Sequence, residues 1–462
     1  MLPMDITGAR EKLVTMVTMT DAGAPSGAPV PQEEQLAEDT RVPWRLSFLA
    51  AIIGVALIAI AFTAGFMSLY EFASKALWFE NEYVFAHRWT IPVGVLAFSL
   101  LVGLCQKYLH APTVIHGGFV ESMKEGGSGA DYRTFPGAFL SSLFSLVSGA
   151  SVGPEGTIAI LVGQIAAWIR STFRVARVSE SARLGFDVAA LASAFNGIVG
   201  SPVFTGVFAT EVEVGDRNGF TFLIWNLVAG LVGYLFYFLL GFTSFASMIT
   251  FPPVDVLDPV MVIYAILLGV VGSLLALFAG ICMKGFGRIM EEKFGGRVVL
   301  RTVAAGVVIA AVCYFLPELL FSGETQIHDI IRNPAALGIG MLLLFAILKL
   351  VLLALSFKSG YIGGPIFPVL FSSTMVGLAL SLAFPGVPVG IFVLCVEAAA
   401  ISLALGAPLT AILLVFVVSV PTPAMGALIV TSAITALILG TMMKELMARR
   451  ARKQPSPAAQ PA

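Results

Sequence analysis

Long apolar segments without a charged residue constrain this chain more than any other feature. Residues 46–70 and 424–442 are two examples, and several more lie between them. An apolar helix of about 20 residues crosses the ~30 Å hydrocarbon core of a bilayer. Because lipid offers the backbone no hydrogen-bond partner, only helices and closed barrels span membranes. The segments lack the apolar–polar alternation of barrel strands, so they predict membrane-spanning helices.

The composition supports a membrane protein and argues against several other classes. Hydrophobic residues make up 58% of the chain and charged residues 12%, whereas a soluble domain carries about 25% charged residues. The net charge of −1 gives no indication of nucleic-acid binding. The four cysteines and four histidines are dispersed, without the spacing of a disulfide framework or a metal site. Because a nucleophile–base pair and a cofactor motif are also missing, we predict that the protein is not an enzyme and needs no cofactor or metal.

One carboxylate lies in a glycine-rich break between two uncharged segments, residues 135–147 and 158–169. The first break, residues 148–157, reads Ser148-Gly149-Ala150-Ser151-Val152-Gly153-Pro154-Glu155-Gly156-Thr157. Gly153 and Pro154 are expected to stop a helix, and Gly156 and Thr157 to open the next one. Glu155 would then lie at the positive end of that helix, where N–H groups lack partners and an anion can bind.

A second break, residues 359–368, matches the first in the offsets of Ser, Gly, Gly and Pro. It reads Ser359-Gly360-Tyr361-Ile362-Gly363-Gly364-Pro365-Ile366-Phe367-Pro368. Ile366 stands where Glu155 stands in the first break. Broken helices at corresponding places in two halves of a chain point to a transporter binding site.

Two further breaks also match each other. Residues 200–203 read Gly-Ser-Pro-Val, and residues 406–409 read Gly-Ala-Pro-Leu. The short helix expected after the first of these carries Glu211 near its end. Matched breaks in two halves predict an all-α polytopic membrane protein with two inverted-topology repeats of tilted and broken helices.

The chain divides into four predicted regions. Residues 1–45 are a polar, mostly disordered tail, 46–252 the first membrane repeat, 253–443 the second, and 444–462 a basic tail. Arginines and lysines in the last region, with Arg41 and Arg45 before the first span, place both termini in the cytoplasm by the positive-inside rule. We predict a multi-pass protein of the inner or plasma membrane.

At these positions the sequence resembles the CLC family of chloride channels and proton-coupled anion antiporters. The first break resembles the family motif G-R/K-E-G-P, which carries the gating glutamate, and the second resembles the anion-path motif S-G-x-x-G-G-x-F-x-P. Residues 194–196 with Pro202, and residues 406–410, resemble two further motifs. The resemblance covers roughly residues 46–452, and four motifs in order are more specific than any one alone.

The resemblance implies a homodimer in which each subunit has its own anion pathway, lined by helix N-termini. It implies that Glu155 is the gate, which occupies the anion site when ionised and swings away when protonated. It also makes Glu211 a candidate proton relay. The anion path expected from the matching motifs consists of Gly117, Gly118, Phe119, Gly153, Pro154, Gly156, Thr157, Gly363, Gly364, Pro365, Ile366, Phe367 and Pro368.

Three positions depart from the family pattern. Gly117 stands where many members have the serine that coordinates the central anion, and Met443 falls near the usual pore tyrosine. Val212 falls at the second acid of the proton-relay pair. Family members selective for other anions, including fluoride, also lack the serine and the tyrosine.

We therefore predict transport of a small inorganic anion, with chloride as the first choice, through a pore gated by a protonatable glutamate. A proton-coupled antiporter and a transporter of fluoride or another anion are alternatives within the family. A cation-coupled carrier of an organic solute, from a different class, would want carboxylates in both breaks, and the second break has none. A membrane scaffold would not need paired helix breaks. The predicted partners are the anion, protons, the lipid bilayer and a second copy of the chain, without nucleic acid.

Each candidate side chain also has a purely structural interpretation. Glu155 could cap its own helix, and Glu211 could be an ordinary helix-end carboxylate. Lys349 is expected to be an internal charge partner or a snorkelling residue, and Asp187 a cap near a helix start. Glu397, among apolar residues, faces either the helix bundle or a dimer partner.

Overall fold

The computed structural model describes residues 46–113, 131–173, 180–214, 219–246 and 248–453. Within these ranges the chain is all-helical, and the one β-type contact is an isolated bridge between Gly153 and Gly364. The two predicted terminal tails lie wholly or partly outside the described residues, since these begin at 46 and end at 453. The all-α fold class is confirmed.

The helices of the first half are α1 (Leu46–Ser74), α2 (Glu82–Ala86), α3 (Thr90–Tyr108), α4 (Phe135–Val147), α5 (Pro154–Phe173), α6 (Glu180–Ala194), α7 (Pro202–Ala209) and α8 (Gly219–Leu240). Those of the second half are α9 (Pro259–Phe294), α10 (Val298–Phe315), α11 (Glu324–Arg332), α12 (Gly338–Ser359), α13 (Ile366–Ala383), α14 (Val389–Leu405), α15 (Pro408–Ser419) and α16 (Pro423–Lys453). π-helical turns extend α1 through Lys75–Phe79 and α7 through Thr210–Val214.

The helices of the two halves correspond in chain order. The pairs are α1 with α9, α3 with α10, α4 with α12, α5 with α13, α6 with α14, α7 with α15, and α8 with α16. Equivalent helices pack alike, since α1 contacts α6 and α8 just as α9 contacts α14 and α16. The equivalent residues Gly149 and Gly360 both have a left-handed backbone, with φ of 84° and 101°. The molecule consists of two inverted repeats, as predicted.

Nine helices among the described residues are long and apolar enough to cross a bilayer. They are Leu46–Phe79, Thr90–Tyr108, Pro154–Phe173, Phe220–Leu240, Pro259–Phe294, Val298–Phe315, Gly338–Ser359, Ile366–Ala383 and Pro423–Leu446. The helices α4, α6, α7, α14 and α15 are shorter, and α14 is buried along nearly its whole length. Short helices at membrane depth are stable where protein surrounds them, and α14 has such surroundings.

The uncharged segment 135–147 coincides with α4, and the segments 46–70, 158–169 and 424–442 lie within the longer helices α1, α5 and α16. The prediction for Pro154 is wrong, because this residue opens α5 instead of stopping a helix. Proline at the first helical position loses no hydrogen bond and has a fitting φ. The apolar pattern does not predict α11, in which only Ile327 and Ile330 are buried. The last helix continues to Lys453 because its basic and alanine residues are strong helix formers.

Candidate functional site

The two breaks meet at the centre of the protein. The amide of Gly153 donates to the carbonyl of Gly364 at 2.8 Å, and the amide of Gly364 donates to the carbonyl of Gly153 at 2.7 Å. These glycines are equivalent residues of the two repeats, so the contact lies on the local two-fold axis. It places the beginnings of α5 and α13 side by side.

Glycine is required where the two breaks approach each other. A Cβ at Gly156 would overlap the carbonyl oxygen of Gly363, which is backbone and cannot move aside. A Cβ at Gly363 would come within 2.5 Å of the Val152 Cβ, and one at Gly364 would overlap the side chain of Glu155. The glycine pattern seen in the sequence therefore serves close backbone approach as well as helix interruption.

The carboxylate of Glu155 reaches across to the other repeat. Its Oε1 accepts a hydrogen bond from the amide of Ile366, the first residue of α13. Its Oε2 has no hydrogen-bond partner among the described residues, and the side chain is fully buried. Glu155 lies in the first turn of its own helix, and its carboxyl group also contacts the start of the opposite helix. The carboxyl group occupies the positive end of α13, where an anion would be stabilised.

Few amides remain free to bind a ligand at this point. Pro154, Pro365 and Pro368 have no N–H, and the amides of Gly153 and Gly364 bind each other. The remaining donors outside the helical ladders are the amides of Glu155, Gly156 and Thr157 in α5, and of Ile366 and Phe367 in α13. The first-turn residue Val369 already donates to the carbonyl of Pro365 at 3.0 Å.

Two side chains and one backbone carbonyl, from three helices, hold the second break in place. Tyr361 Oη donates to Ser99 Oγ at 2.6 Å and lies 3.1 Å from the carbonyl of Thr302. The amide of Ile362 donates to Ser145 Oγ of α4 at 3.0 Å. These contacts join α3, α4 and α10 to a single loop, so the start of α13 is fixed by both repeats.

Two more side chains bind the last carbonyls of α12. The Nε of Arg301 donates to the carbonyl of Ser359 at 3.0 Å, and the Nε2 of Gln106 donates to the carbonyl of Gly360. Both side chains are buried. Donors at this position satisfy carbonyls that the helix leaves unpaired, and Arg301 also counters the negative end of α12.

Lys349 binds backbone carbonyls and not a carboxylate. Its Nζ donates to the carbonyls of Phe321 at 2.6 Å, Leu319 at 3.1 Å and Leu320 at 3.4 Å. It also lies 4.9 Å from the ring centre of Phe371. The side chain is fully buried. The prediction of an internal charge partner is wrong within the described chain, because three carbonyl dipoles and an aromatic face take that role.

The loop bound by Lys349 touches the first break. The amide of Phe321 donates to the carbonyl of Gly149 at 3.1 Å, and Ser151 Oγ donates to the carbonyl of Lys349 itself at 3.4 Å. Lys349 therefore links α12 to the first break, which contains Glu155.

Glu211 lies at the second matched pair of breaks. Its carboxylate accepts hydrogen bonds from the amide of Leu409 at 3.1 Å and from the amide and hydroxyl of Thr410, each at 2.7 Å. The acid at the end of the first-repeat helix thus caps α15, the second-repeat equivalent of α7. This resembles the contact of Glu155 with α13, because each carboxylate binds a helix N-terminus of the opposite repeat.

The structure gathers ten of the predicted anion-path residues around the meeting point of the two breaks. Thr157 Oγ1 donates to the carbonyl of Ile362 at 3.3 Å, and the Phe367 ring packs edge-on against Phe245 at 4.9 Å between ring centres. Gly117, Gly118 and Phe119 lie outside the described residues. Met443, expected near the pore, lies on α16.

Several contacts at the site have no signal in the sequence. Phe245 comes from the loop after α8, and its amide donates to the carbonyl of Gly197 at 3.0 Å. Trp78 Nε1 donates to the carbonyl of Val147 at the end of α4. Asp187, predicted as a cap, instead pairs with Arg170 Nε at 2.9 Å inside the protein. Among the described residues, no three His, Cys, Asp or Glu side chains lie close enough together to hold a metal ion.

Relatives of this chain include a putative ion-transport protein and an uncharacterized protein. The putative ion-transport protein YfeO of Escherichia coli is 24% identical over 375 residues, which cover 76% of this chain and 82% of that protein. An uncharacterized protein of Methanocaldococcus jannaschii is 24% identical over 271 residues, which cover 54% of this chain and 65% of that protein. That match, and a shorter one to YfeO of another Escherichia coli strain, span less than two thirds of the relatives' own lengths.

Solved structures share the fold. A slow cyanobacterial Cl⁻/H⁺ antiporter superposes with a TM-score of 0.72 at 18% identity, covering 89% of this chain and 100% of that one. A CLC-type fluoride/proton antiporter superposes with a TM-score of 0.68 at 19% identity, covering 86% of this chain and 95% of that one. The sequence model described as voltage gated chloride channel matches residues 97–440, which is most of the chain. The chain therefore belongs to the voltage gated chloride channel family.

Proposed function

We propose that this protein moves a small inorganic anion across a cell membrane through the point where α5 and α13 begin, with Glu155 as the gate. Chloride is the first candidate and fluoride the second, since solved structures of the same fold include antiporters of each. The observation that carries the proposal is the hydrogen bond from the Ile366 amide to the Glu155 carboxylate. This bond supports the proposal because a carboxyl group is held by an amide that an anion would need.

The loss of hydration by the anion determines which groups the site must supply. An anion that enters a low-dielectric interior loses its hydration and needs other dipoles in exchange. The amides of Gly156, Thr157, Ile366 and Phe367, with two helix dipoles, supply them here. A ligand set of dipoles binds an anion weakly enough to let it leave, whereas a full positive charge would hold it.

Glu155 competes with the anion for these donors. When ionised, its carboxylate occupies the N-terminus of α13 and excludes another negative charge. When protonated, it loses the charge that the helix dipole attracts, so an anion can take its place. Proton binding and anion binding are therefore linked, which fits either a pH-gated channel or an exchanger of anions for protons.

Glu211 is the candidate proton relay in this scheme. Its carboxylate is only partly buried and binds the N-terminus of α15. We propose that it passes protons from the cytoplasmic side, and Val212 at the neighbouring relay position is compatible with weak coupling or none. The cap that it forms is a structural role of the same side chain, and the two roles are separable by mutation.

The cellular setting is also part of the proposal. The chain is a multi-pass membrane protein, and we propose the inner or plasma membrane with both termini in the cytoplasm, because basic residues flank the first and last spans. The family resemblance suggests a homodimer with one pathway in each subunit. Crosslinking of the protein in liposomes measures its oligomeric state.

The test is anion and proton flux in liposomes that contain the purified protein. Wild type, Glu155→Gln and Glu155→Ala are compared across a pH series with chloride and with fluoride, and proton uptake is recorded alongside. Glu71→Gln, at an exposed carboxylate paired with Lys75, is the control for the change in charge. Anion flux by the wild type should rise as pH falls, and both Glu155 variants should lose this dependence and the proton movement.

Two results separate the alternatives. Proton movement in the wild type that vanishes in the Glu155 variants indicates an exchanger, and anion flux without proton movement indicates a channel. Unchanged pH dependence and unchanged proton movement in both Glu155 variants would show that Glu155 is not the gate.

A further inference from the structure

A second carboxylate is buried beside α13, the helix whose first amide binds Glu155. Glu397 lies in the middle of α14 and is 1% exposed. Its Oε1 accepts a hydrogen bond of 2.6 Å from Thr374 Oγ1 of α13. Glu397 therefore faces the helix bundle and not a dimer partner. Carboxylates at membrane depth are costly, and those that persist are commonly functional.

No charged side chain lies near Glu397 on the helices packed against it. α13 and α15 contain no ionisable residue. On α9, Gly272 faces the turn of α14 at Val396 and Ala399, whereas the first charged residue, Lys284, is about 18 Å further along the helix.

α16 also places no charged side chain near Glu397. Ser432 Oγ of α16 donates to the carbonyl of Cys395, and the first charged residue of that helix, Lys444, is also about 18 Å away along the axis. The ionisable groups in this part of the protein are the buried thiol of Cys395 and Tyr264, which packs on Phe392. The negative charge of an ionised Glu397 would thus be stabilised by one hydrogen bond, from the hydroxyl of Thr374.

Thr374 connects the protonation state of Glu397 to the backbone of α13. Its hydroxyl lies 2.6 Å from Glu397 Oε1 and 2.9 Å from the carbonyl of Leu370, but it has only one hydrogen to donate. With Glu397 ionised, that hydrogen must go to the carboxylate. With Glu397 protonated, the acid donates to Thr374 Oγ1, and the hydroxyl is free to donate to Leu370.

This exchange of hydrogen bonds takes place close to the proposed gate. Thr374 is about 12 Å along α13 from Ile366, which binds Glu155. α13 and α14 pack without a gap, since a Cβ at Gly377 would come within 2.5 Å of the Val393 Cα. Packed helices of this kind shift as units, so a change at Thr374 reaches the N-terminus of α13.

We infer that Glu397 is a second proton-binding group of the transport cycle, which takes its proton from water and returns it, and which sets the position of α13 through Thr374. It is a positioning residue for the anion site. The inference rests on the proposed function only for its effect on transport, because proton binding by Glu397 can be observed directly.

The first experiment is infrared difference spectroscopy of the protein in lipid, between alkaline and acid pH. A Glu155→Gln background removes the signal of the proposed gate. On acidification, the Glu155→Gln variant should gain a protonated-carboxyl band that the Glu155→Gln/Glu397→Gln variant lacks, and subtracting the two spectra removes the bands of the other carboxyl groups. Thr374→Val removes the donor to the ionised acid, so the band should persist to a pH about one unit higher. Thr374→Ser should restore the original titration.

The matched control for Thr374→Val is Thr63→Val. Thr63 is a buried threonine whose hydroxyl also binds the carbonyl four residues earlier, but no carboxylate contacts it. Thr63→Val should leave the titration of the band unchanged. In transport, Glu397→Gln should weaken the pH dependence that wild type shows, whereas Glu155→Gln should abolish it.

The outcomes are distinguishable. If the carboxyl band is present at every pH, or if Glu397→Gln changes neither the spectrum nor the pH profile of transport, the inference is wrong while the gate proposal stands. If Glu155→Gln keeps the full pH dependence but the Glu397 band titrates, the gate proposal is wrong and proton binding by Glu397 stands.

Discussion

Gly153 and Gly364 donate their amides to each other's carbonyls across the two repeats. This reciprocal pair uses up two N–H groups that would otherwise face a ligand, and it fixes the distance between the starts of α5 and α13. The donors left for an anion are then few and lie on both sides of the pair. The following predictions test this arrangement and the side chains that support it.

Gly156→Ala should destabilise the protein strongly. The added methyl group would overlap the Gly363 carbonyl oxygen, so the two breaks must move apart. Overpacking of this kind costs about 1–3 kcal/mol. Thermal unfolding of the detergent-solubilised protein measures the loss. Gly280→Ala is the control, because nothing lies within 4 Å of that position in α9 and alanine favours a helix. Equal melting temperatures for the two variants would contradict the close approach.

Gly364→Ala should open the site while Glu155 is still present. The methyl group would overlap the Glu155 side chain and push its carboxylate away from the Ile366 amide. We expect anion flux at alkaline pH to rise about tenfold, as the loss of a ~1.4 kcal/mol competing interaction predicts. Liposome flux assays measure it. Gly386→Ala, at a loop position with open space, should match wild type. Flux that stays at the wild-type level in a folded Gly364→Ala protein would count against competition.

Lys349→Met should weaken the fold and disturb the first break. Three carbonyls of residues 319–321 would lose their common donor, and a buried unsatisfied polar group costs about 1–3 kcal/mol. We expect a lower unfolding temperature and reduced anion flux, because the same loop binds Gly149. Lys284→Met, at an exposed lysine, should change neither. A Lys349→Met protein with wild-type stability would show that the three hydrogen bonds are dispensable.

Glu211 can be tested for its two roles separately. Glu211→Ala removes the cap of α15 and should cost about 1 kcal/mol of stability. Glu211→Gln keeps an acceptor oxygen and should cost less, but it cannot carry a proton. If Glu211 is a relay, the ratio of protons to anions moved in liposomes should fall in Glu211→Gln. A wild-type ratio in that variant would leave the cap as the role of this side chain.

The helices could be predicted from the sequence because apolar runs and Gly-Pro breaks act locally. The uncharged stretch 135–147 becomes α4, which ends just before the Ser-Gly pair of the first break, so its bounds coincide with those of the stretch. The match between Gly149 and Gly360 also predicted that the two breaks are equivalent, and both residues have a left-handed backbone.

The partners of the polar side chains could not be predicted, because they come from distant parts of the chain. A glutamate at a helix end is ordinarily assigned to its own helix. Glu155, in the first turn of α5, nevertheless binds α13, and Glu211, at the end of α7, binds α15. Lys349 binds carbonyls in a loop with left-handed Phe321, a conformation that no local pattern indicates. These contacts depend on how the repeats pack, which periodicity alone does not encode.

Anion binding at equilibrium tests the central claim most directly. Isothermal titration calorimetry with chloride and with fluoride, at alkaline pH, compares wild type with Glu155→Ala. If the carboxylate competes for the amides of α5 and α13, at least one anion should bind the alanine variant about tenfold more tightly, or bind only to it. Equal affinities of both proteins for both anions would contradict the account.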